Sequence, residues 1–458
     1  MKEKIGFGLV WVGITVYFAN AFLFPLLGPD SGYYLAMMRD FYSGKAYFTD
    51  IATIYNPLSQ LWFGLPFTVY THPDPRLSLL FNVLVFIGSS LLLYRLLRHI
   101  NTSSTFSLFL SLFFFLLNLF FDGSHILLEP LSVFFLLLAT LCYLKASSFK
   151  DFFTIGVLIS FSFLSKQYGL FFVAPLCIDI FFIQKKHRIK RLLVLGVGFL
   201  VPILVFLFYL YKHGASITQG MYYMLGKGVP IDVGNGTGNS YDFFSYSIGI
   251  VVFLFVSNYG LTMLRHPRFT LSVIRTKPFF ALLFIFSVSV LINASYLHYF
   301  QYIIPFSLLF YAQVQNEVEK QQLPHTKSYS FLISLVFLTG AGIYSLTKKP
   351  LKFQNQETER QVILSAIPRG SAVFLEGVSP AYYYLCDFNS INLSTVGYTF
   401  SGYFLPNSIL KYAKGGSFIL ASQEQFQKYK PILDSRYTYK TIMLQNQVYY
   451  LITVNFGV

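Results

Sequence analysis

Long apolar runs separated by short polar breaks fill the first three quarters of the chain. Runs able to cross about 30 Å of hydrocarbon cover residues 5–27, 77–97, 104–121, 126–144, 152–165, 168–183, 192–211, 243–264, 278–293, 299–314 and 328–346. They predict about eleven transmembrane helices in a polytopic α-helical membrane protein. The briefest break is Ser165-Lys166-Gln167. Between the first two runs lies the longest polar loop of the first half, 28–76. There Tyr34, Met37, Met38 and Phe41 recur at helical spacing, predicting an amphipathic helix from Ser31 to about Tyr42 with its apolar face in the acyl boundary.

From about residue 348 the pattern changes. Ser371–Leu375 and Ser417–Ala421 read as short buried strands, and Glu357–Ile367 and Glu424–Ile432 have helical spacing. Pro368-Arg369-Gly370 stops the first of these helices. Tyr439–Leu444, then Gln445-Asn446-Gln447, then Val448–Val454 reads as a closing hairpin. The expected division is a transmembrane domain, 1–347, and a small soluble α/β domain, 348–458, of about 105 residues, large enough for its own core. The insertion 226–242 contains Gly234-Asn235-Gly236-Thr237-Gly238-Asn239. Its glycines follow no strand and open no clear helix, which argues against a phosphate-cradling loop.

Composition agrees with a chain whose solvent is mostly lipid. It is 55% hydrophobic and 12% charged, with mean hydropathy +0.56, against about 25% charged in soluble proteins. The net charge of +15 points to positive-inside loops rather than to a nucleic-acid surface, so no nucleic-acid partner is expected. Inside loops hold clusters such as Lys185, Lys186, Arg188, Lys190 and Arg191. The outside connections hold only Arg39, Lys45, Arg76, Lys166, Lys212 and Lys227. That alternation sets the N-terminus inside and the tail outside. Cys142, Cys177 and Cys386 show no metal or disulfide spacing.

Four polar clusters then fall on the outer side. The first follows the opening run, Gly28-Pro29-Asp30-Ser31-Gly32-Tyr33-Tyr34, with Asp50 and Tyr55-Asn56-Pro57-Leu58 beyond it. Asp30 either caps the following helix or does chemistry at the membrane surface. The second is Asp122-Gly123-Ser124-His125 leading to Glu129-Pro130. Glu129 lies within an apolar run, where an ionisable group usually pairs, faces a cavity or reacts. His125 and Glu129, four apart, would share a helix face; Asp122 could equally be a cap. The third is Lys166-Gln167-Tyr168, where the lysine either snorkels to the headgroups or meets a lipid phosphate. The fourth, His298-Tyr299 before Pro305, is an aromatic belt or a part of the same site. Carboxylates, a lysine and a histidine converging at the outer interface suit an anionic lipid substrate.

Asp30-Ser31-Gly32-Tyr33-Tyr34, Tyr47-Phe48-Thr49-Asp50 and Tyr55-Asn56-Pro57-Leu58 resemble the first outside loop of the family 39-type glycosyltransferases of the C superfamily. That group includes the protein O-mannosyltransferases and the lipid A aminoarabinose transferase. Arg76, Glu129-Pro130, Lys166-Gln167 and His298-Tyr299 with Pro305 continue the resemblance over roughly 5–310. It implies an inverting enzyme that moves a sugar from a polyprenyl-phosphate donor to a glycan, lipid or protein acceptor. Asp30 would be the catalytic base or orient the acceptor. The substrate-binding set would be Tyr34, Asp50, Asn56, Arg76, Asp122, His125, Glu129, Lys166, Gln167, His298 and Tyr299. Many relatives have a second acid beside the Asp30 position, where this chain has Ser31; Asp50 or Glu129 could supply it. Some relatives use a divalent cation, for which Asp30 and Glu129 would be ligands. The expected setting is a bacterial inner (plasma) membrane. The competing readings are a flippase or transporter, for which repeated halves are expected and not found, and a polymerase or ligase of lipid-linked glycans.

Overall fold

The computed structural model describes residues 25–48, 51, 56–120, 125–183, 187–225, 267–293, 299–320, 329–390, 409–410, 413–445 and 447–455, with isolated positions between 11 and 23. The expected span 243–264 and the insertion 226–242 lie outside the described residues, as does most of the first run.

Two short helices follow the first run: α1 (Pro29–Tyr42) and α2 (Pro57–Phe63). The apolar bundle then contains α3 (Pro75–His99), α4 (Ser104–Phe120), α5 (Glu129–Lys145) and α6 (Phe149–Ser165). Local chemistry explains the starts. Pro75 opens α3 after Asp74, whose side chain accepts from the Arg76 amide at 2.9 Å. Ser148 and Asp151 satisfy each other's backbone amides in a reciprocal cap on α6.

At Lys166 the backbone turns extended and α6 ends. The following run is not one regular helix. It passes from a tight 3₁₀ segment (Gln167–Phe172) through α7 (Val173–Ile178) into a wide turn at Asp179–Ile183. The break is built in, because Gly169 approaches the Phe163 backbone so closely that an added Cβ would lie 2.7 Å from its nitrogen. The Tyr143 hydroxyl donates to Asp179, tying the far end of this segment to α5.

Beyond it come α8 (Arg188–Lys212), α9 (Ile217–Met224), α10 (Pro267–Thr276), α11 (Pro278–Asn293), α12 (Phe300–Lys320) and α13 (Tyr329–Ala366). Among the described residues, α3 and α8 alone are long and apolar enough to cross a membrane as single helices; α10 and α11 together form a pair bent by 101°.

Helices α6 and α8 meet through glycines. A Cβ on Gly156 would lie 2.1 Å from the Leu195 carbonyl oxygen, and one on Gly198 would lie 2.2 Å from the Phe153 carbonyl oxygen. Small residues let backbones approach where lipid supplies no hydrophobic drive between helices.

The tail departs from expectation at its start. The run 328–346 and the segment 357–367 are one helix, α13, with Pro350 inside it. The polar turn near 348 marks a change of surroundings, since Lys, Glu, Gln and Arg are good helix formers and the single proline does not end the helix. The boundary expected at 347/348 therefore falls within a helix.

After α13 come β1 (Ala372–Glu376), α14 (Ala381–Leu385), β2 (Asn389–Ser390), β3 (Phe418–Ser422), α15 (Gln423–Tyr429), β4 (Tyr437–Leu444) and β5 (Gln447–Val454). The sheet order is β2-β1-β3-β5-β4. β1 lies parallel to β2 and β3, while β5 is antiparallel to β3 and β4. The β4–β5 register pairs Leu444 with Gln447 across a two-residue turn. Burial pushes the Cys386 thiol up to about 12, so this cysteine is a packing residue.

The amphipathic-helix expectation for 31–42 is corrected. Tyr33 to Met38 are all buried within the protein, in a core shared with Tyr382, Tyr383 and Tyr384 of α14. The face expected to rest in lipid is covered by the sheet unit instead.

Substituting Gly156 by Leu should force α6 and α8 apart at a cost of about 1–3 kcal/mol or more. A lowered melting temperature of the detergent-solubilised protein is the expected outcome, and an unchanged one would contradict the close packing.

Candidate functional site

The site is assembled where the first loop meets the ends of α5 and α6. Gly28 precedes α1 without any side-chain cap, and Pro29 opens the helix. Asp30 is therefore not the cap. It stands in the first turn, half-buried, where the helix N-terminus offers positive dipole.

Around it, side chains from three helices strap down the chain that precedes α5. The Ser31 hydroxyl accepts from the Ile126 amide at 2.9 Å. Asn82 of α3 donates to the His125 carbonyl at 2.9 Å, and Ser59 of α2 donates to the Leu128 carbonyl at 2.8 Å. His125 does not share a helix face with Glu129, since α5 begins only at Glu129. Its ring lies against Gly28, close enough that a Cβ there would be 3.0 Å from Nδ1.

These straps fix Glu129 at the first residue of α5, almost wholly buried. Its Oε1 is 2.9 Å from Lys166 Nζ, with side-chain exposures of 2% and 4%. A buried pair of this kind is expensive to desolvate and weak evidence of stability on its own. Its surroundings suggest why it is kept. The Lys166 ammonium stands 5.6 Å from the centre of the Tyr299 ring, and Tyr168 meets Tyr299 edge-on with centroids 4.9 Å apart. Glu129, Lys166 and Tyr299 are thus gathered around one point. Asp30 is brought to this end of α5 through its neighbour Ser31, whose hydroxyl holds the Ile126 amide.

Asn56 approaches from α2, donating to the Phe163 carbonyl on α6 three residues before Lys166. One helical turn further, Gln60 is completely buried, and neither atom of its amide has a protein hydrogen-bond partner. Asn56 Oδ1 and Gln167 Oε1 are likewise buried without one. Orphaned amides each cost about 1–3 kcal/mol, so polar atoms left unpaired here are suited to hydroxyls of a bound substrate or to water. Gln60 was passed over in the sequence because it stands alone in an apolar stretch. Its spacing of four from Asn56 was the available signal.

The remaining expected site residues are placed differently. Tyr34 is buried in the core around α1, its ring packed edge-on to Tyr33. Arg76 is half-exposed and sits 3.7 Å from Asp74. Asp50, Asp122 and His298 lie outside the described residues. For a divalent cation the nominated ligands were Asp30 and Glu129. Glu129 already faces an ammonium at contact distance. Among the described residues, no group of three or more His, Cys, Asp or Glu could hold a metal ion. Among the described residues the donors at hand do not fit such an ion.

The fold has counterparts among solved structures. The fold is that of ArnT from Cupriavidus metallidurans. The structure of ArnT bound to undecaprenyl phosphate matches with TM-score 0.54 and 12% identity, and the apo structure with TM-score 0.58 and 10% identity; each match covers 97% of both chains. Residues 58–218 match the model of the dolichyl-phosphate-mannose-protein mannosyltransferase family. No curated protein matches the sequence. The chain is thus an integral membrane protein with the fold of ArnT. Within that class it is similar to the protein mannosyltransferases and the aminoarabinose transferase, as its first loop implied.

Removing one partner of the buried pair should be far worse than removing both. Glu129→Gln or Lys166→Met alone is expected to destabilise by about 3–5 kcal/mol, and the double substitution by much less. Thermal unfolding of the four proteins measures the coupling; additive effects would mean that the pair does not interact.

Proposed function

We propose that this chain is an inverting glycosyltransferase that takes a sugar from a polyprenyl-phosphate donor and passes it to an acceptor hydroxyl or amine at the outer membrane face. The observation that carries this reading is the buried Lys166–Glu129 pair beside Tyr299, at the end of α5 to which Ser31 straps the start of α1. The ArnT structure bound to undecaprenyl phosphate supports a lipid-phosphate donor. The bundle is taken to contain about eleven spans, with the N-terminus cytoplasmic and the sheet unit outside, in a bacterial inner membrane.

In the proposed step, the acceptor atom attacks the anomeric carbon from the face opposite the phosphate. A carbon–acceptor bond forms as the bond from that carbon to the phosphate oxygen breaks, with its electron pair leaving on the polyprenyl phosphate. Single displacement inverts the centre. Asp30 takes the acceptor proton. Lys166, held beside Glu129, sets its ammonium against the developing charge on the phosphate. Asn56, Gln60 and Gln167 offer amides for sugar hydroxyls or phosphate oxygens. His125 stays in the reading as a group beside the start of α1, and Asp50, Asp122, Arg76 and His298 stay in it on the resemblance of the sequence alone.

The test is transfer from a radiolabelled undecaprenyl-phosphate sugar by reconstituted protein. Asp30→Asn should lower turnover about 10²–10⁴-fold; undiminished transfer would remove Asp30 from the chemistry. In this reading Lys166 fills the cationic role. Transfer should therefore persist in excess EDTA, and a loss reversed by added magnesium would overturn the metal-independent step. A reporter fused after Val458 should be active only outside the cytoplasm.

A further inference from the structure

The C-terminal part of the chain does more than lie over the first loop: Gln356 of α13 holds it before Asp30 and the sheet unit holds it after. Upstream, the last residues of the first run leave the helix at 25–28. There the Gln356 side chain reaches Leu27 and makes two hydrogen bonds to its backbone. Its Nε2 donates to the Leu27 carbonyl at 2.9 Å, and its Oε1 accepts from the Leu27 amide at 3.2 Å. This amide copies what a neighbouring strand would do, three residues before Asp30.

Two residues after Asp30, α1 touches α14 backbone to backbone. A Cβ on Gly32 would lie 2.2 Å from Ala381 Cα, a distance no side chain could tolerate without moving the helix. Further along α1, Arg39 spreads its guanidinium over the end of α14. It donates to the Phe388 carbonyl at 2.7 Å, the Tyr383 carbonyl at 3.3 Å and Asp387 at 2.8 Å, while Asp40 lies 3.4 Å away. The Arg39 side chain is only 11% exposed. The far end of the loop is fixed too, where the Tyr384 hydroxyl donates to the Pro73 carbonyl and its ring stacks on His72 at 4.2 Å.

We propose that Gln356 and Arg39 are positioning residues that lock α1 against the C-terminal sheet unit and so hold Asp30 in place for transfer. This rests on the catalytic role given to Asp30 above. Arg39 acts through α1 and Gln356 through Leu27 just before it, and neither reaches a reacting atom. A rigid support for a reacting group is what keeps its geometry within a fraction of an ångström. The helix alone does not supply it, because α1 has 14 residues and no N-terminal side-chain cap.

The test uses the full chain reconstituted in lipid, with Gln356→Ala, Arg39→Ala and Arg39→Lys. Hydrogen exchange of the α1 amides reads the docking without any substrate. It should quicken about tenfold or more in Gln356→Ala and Arg39→Ala, with α6 unchanged and the melting temperature little moved. Arg39→Lys keeps a charge for Asp387 but loses the fork that spans the carbonyls, and should fall between. In transfer from radiolabelled undecaprenyl-phosphate sugar, kcat should drop about tenfold or more while KM for the donor holds. Unchanged α1 exchange in both alanine variants would overturn the lock, whatever Asp30 does. Quickened exchange with full kcat, in a protein that Asp30→Asn inactivates, would overturn the positioning role alone. Full activity in Asp30→Asn would instead overturn the reading of Asp30, and the exchange data would still decide whether the lock exists.

Discussion

An ammonium and a carboxylate shut away from water together constrain the whole site. The Lys166–Glu129 pair is buried at both ends, and such a pair is tolerated only if its geometry is held and its remaining donors are used. Much of the surrounding fold serves that need. Helix α6 stops at Lys166 in extended backbone, turning the lysine inward. Helix α5 begins at Glu129 itself. The chain between α4 and α5 is gripped by Ser31, Asn82 and Ser59 from three separate helices. The irregular segment after Lys166 starts at the same break and is held there by the close approach of Gly169 to the Phe163 backbone.

The first loop is the second consequence. It could have been an interfacial helix resting in the headgroups, and its apolar spacing alone allows that. Instead α1 is enclosed, with lipid-soluble residues such as Met37 and Leu35 packed inside protein. The sheet unit pays for this enclosure with its own tyrosines on α14. Such burial costs α1 its freedom to slide, and a residue that must meet a lipid-borne substrate at a fixed depth gains from losing it.

The parts legible in the sequence were those set by strong local signals. Apolar runs marked the helices of the bundle, and strand and turn patterns marked β1, β3 and the β4–β5 hairpin within a residue or two. Glu129 and Lys166 could each be singled out, since ionisable groups in apolar runs are costly. That they answer each other was not readable, because their separation of 37 positions carries no periodic signal. Helical spacing pairs His125 with Glu129 instead, though no helix spans them. Gln60 was silent for the opposite reason: a lone amide among apolar residues looks like noise until its burial is seen. Helix α13 was split in two because a change from apolar to charged residues reads as a domain edge, while helix propensity continues straight through it.

Pairing and placement together give the two acids of the site different work. Glu129 stands against Lys166 in a dry environment, where its charge serves to hold an ammonium that would otherwise be too costly to bury. Asp30 stands at the mouth of a helix, half-buried. The hydroxyl of the adjacent Ser31 is spent on strapping Ile126, and the other carboxylate of the site stands on α5 beside its cation. A phosphate entering between Asp30 and Lys166 would then meet positive charge on one side only. The acceptor would be left on the Asp30 side, which is the arrangement that displacement at the anomeric carbon requires.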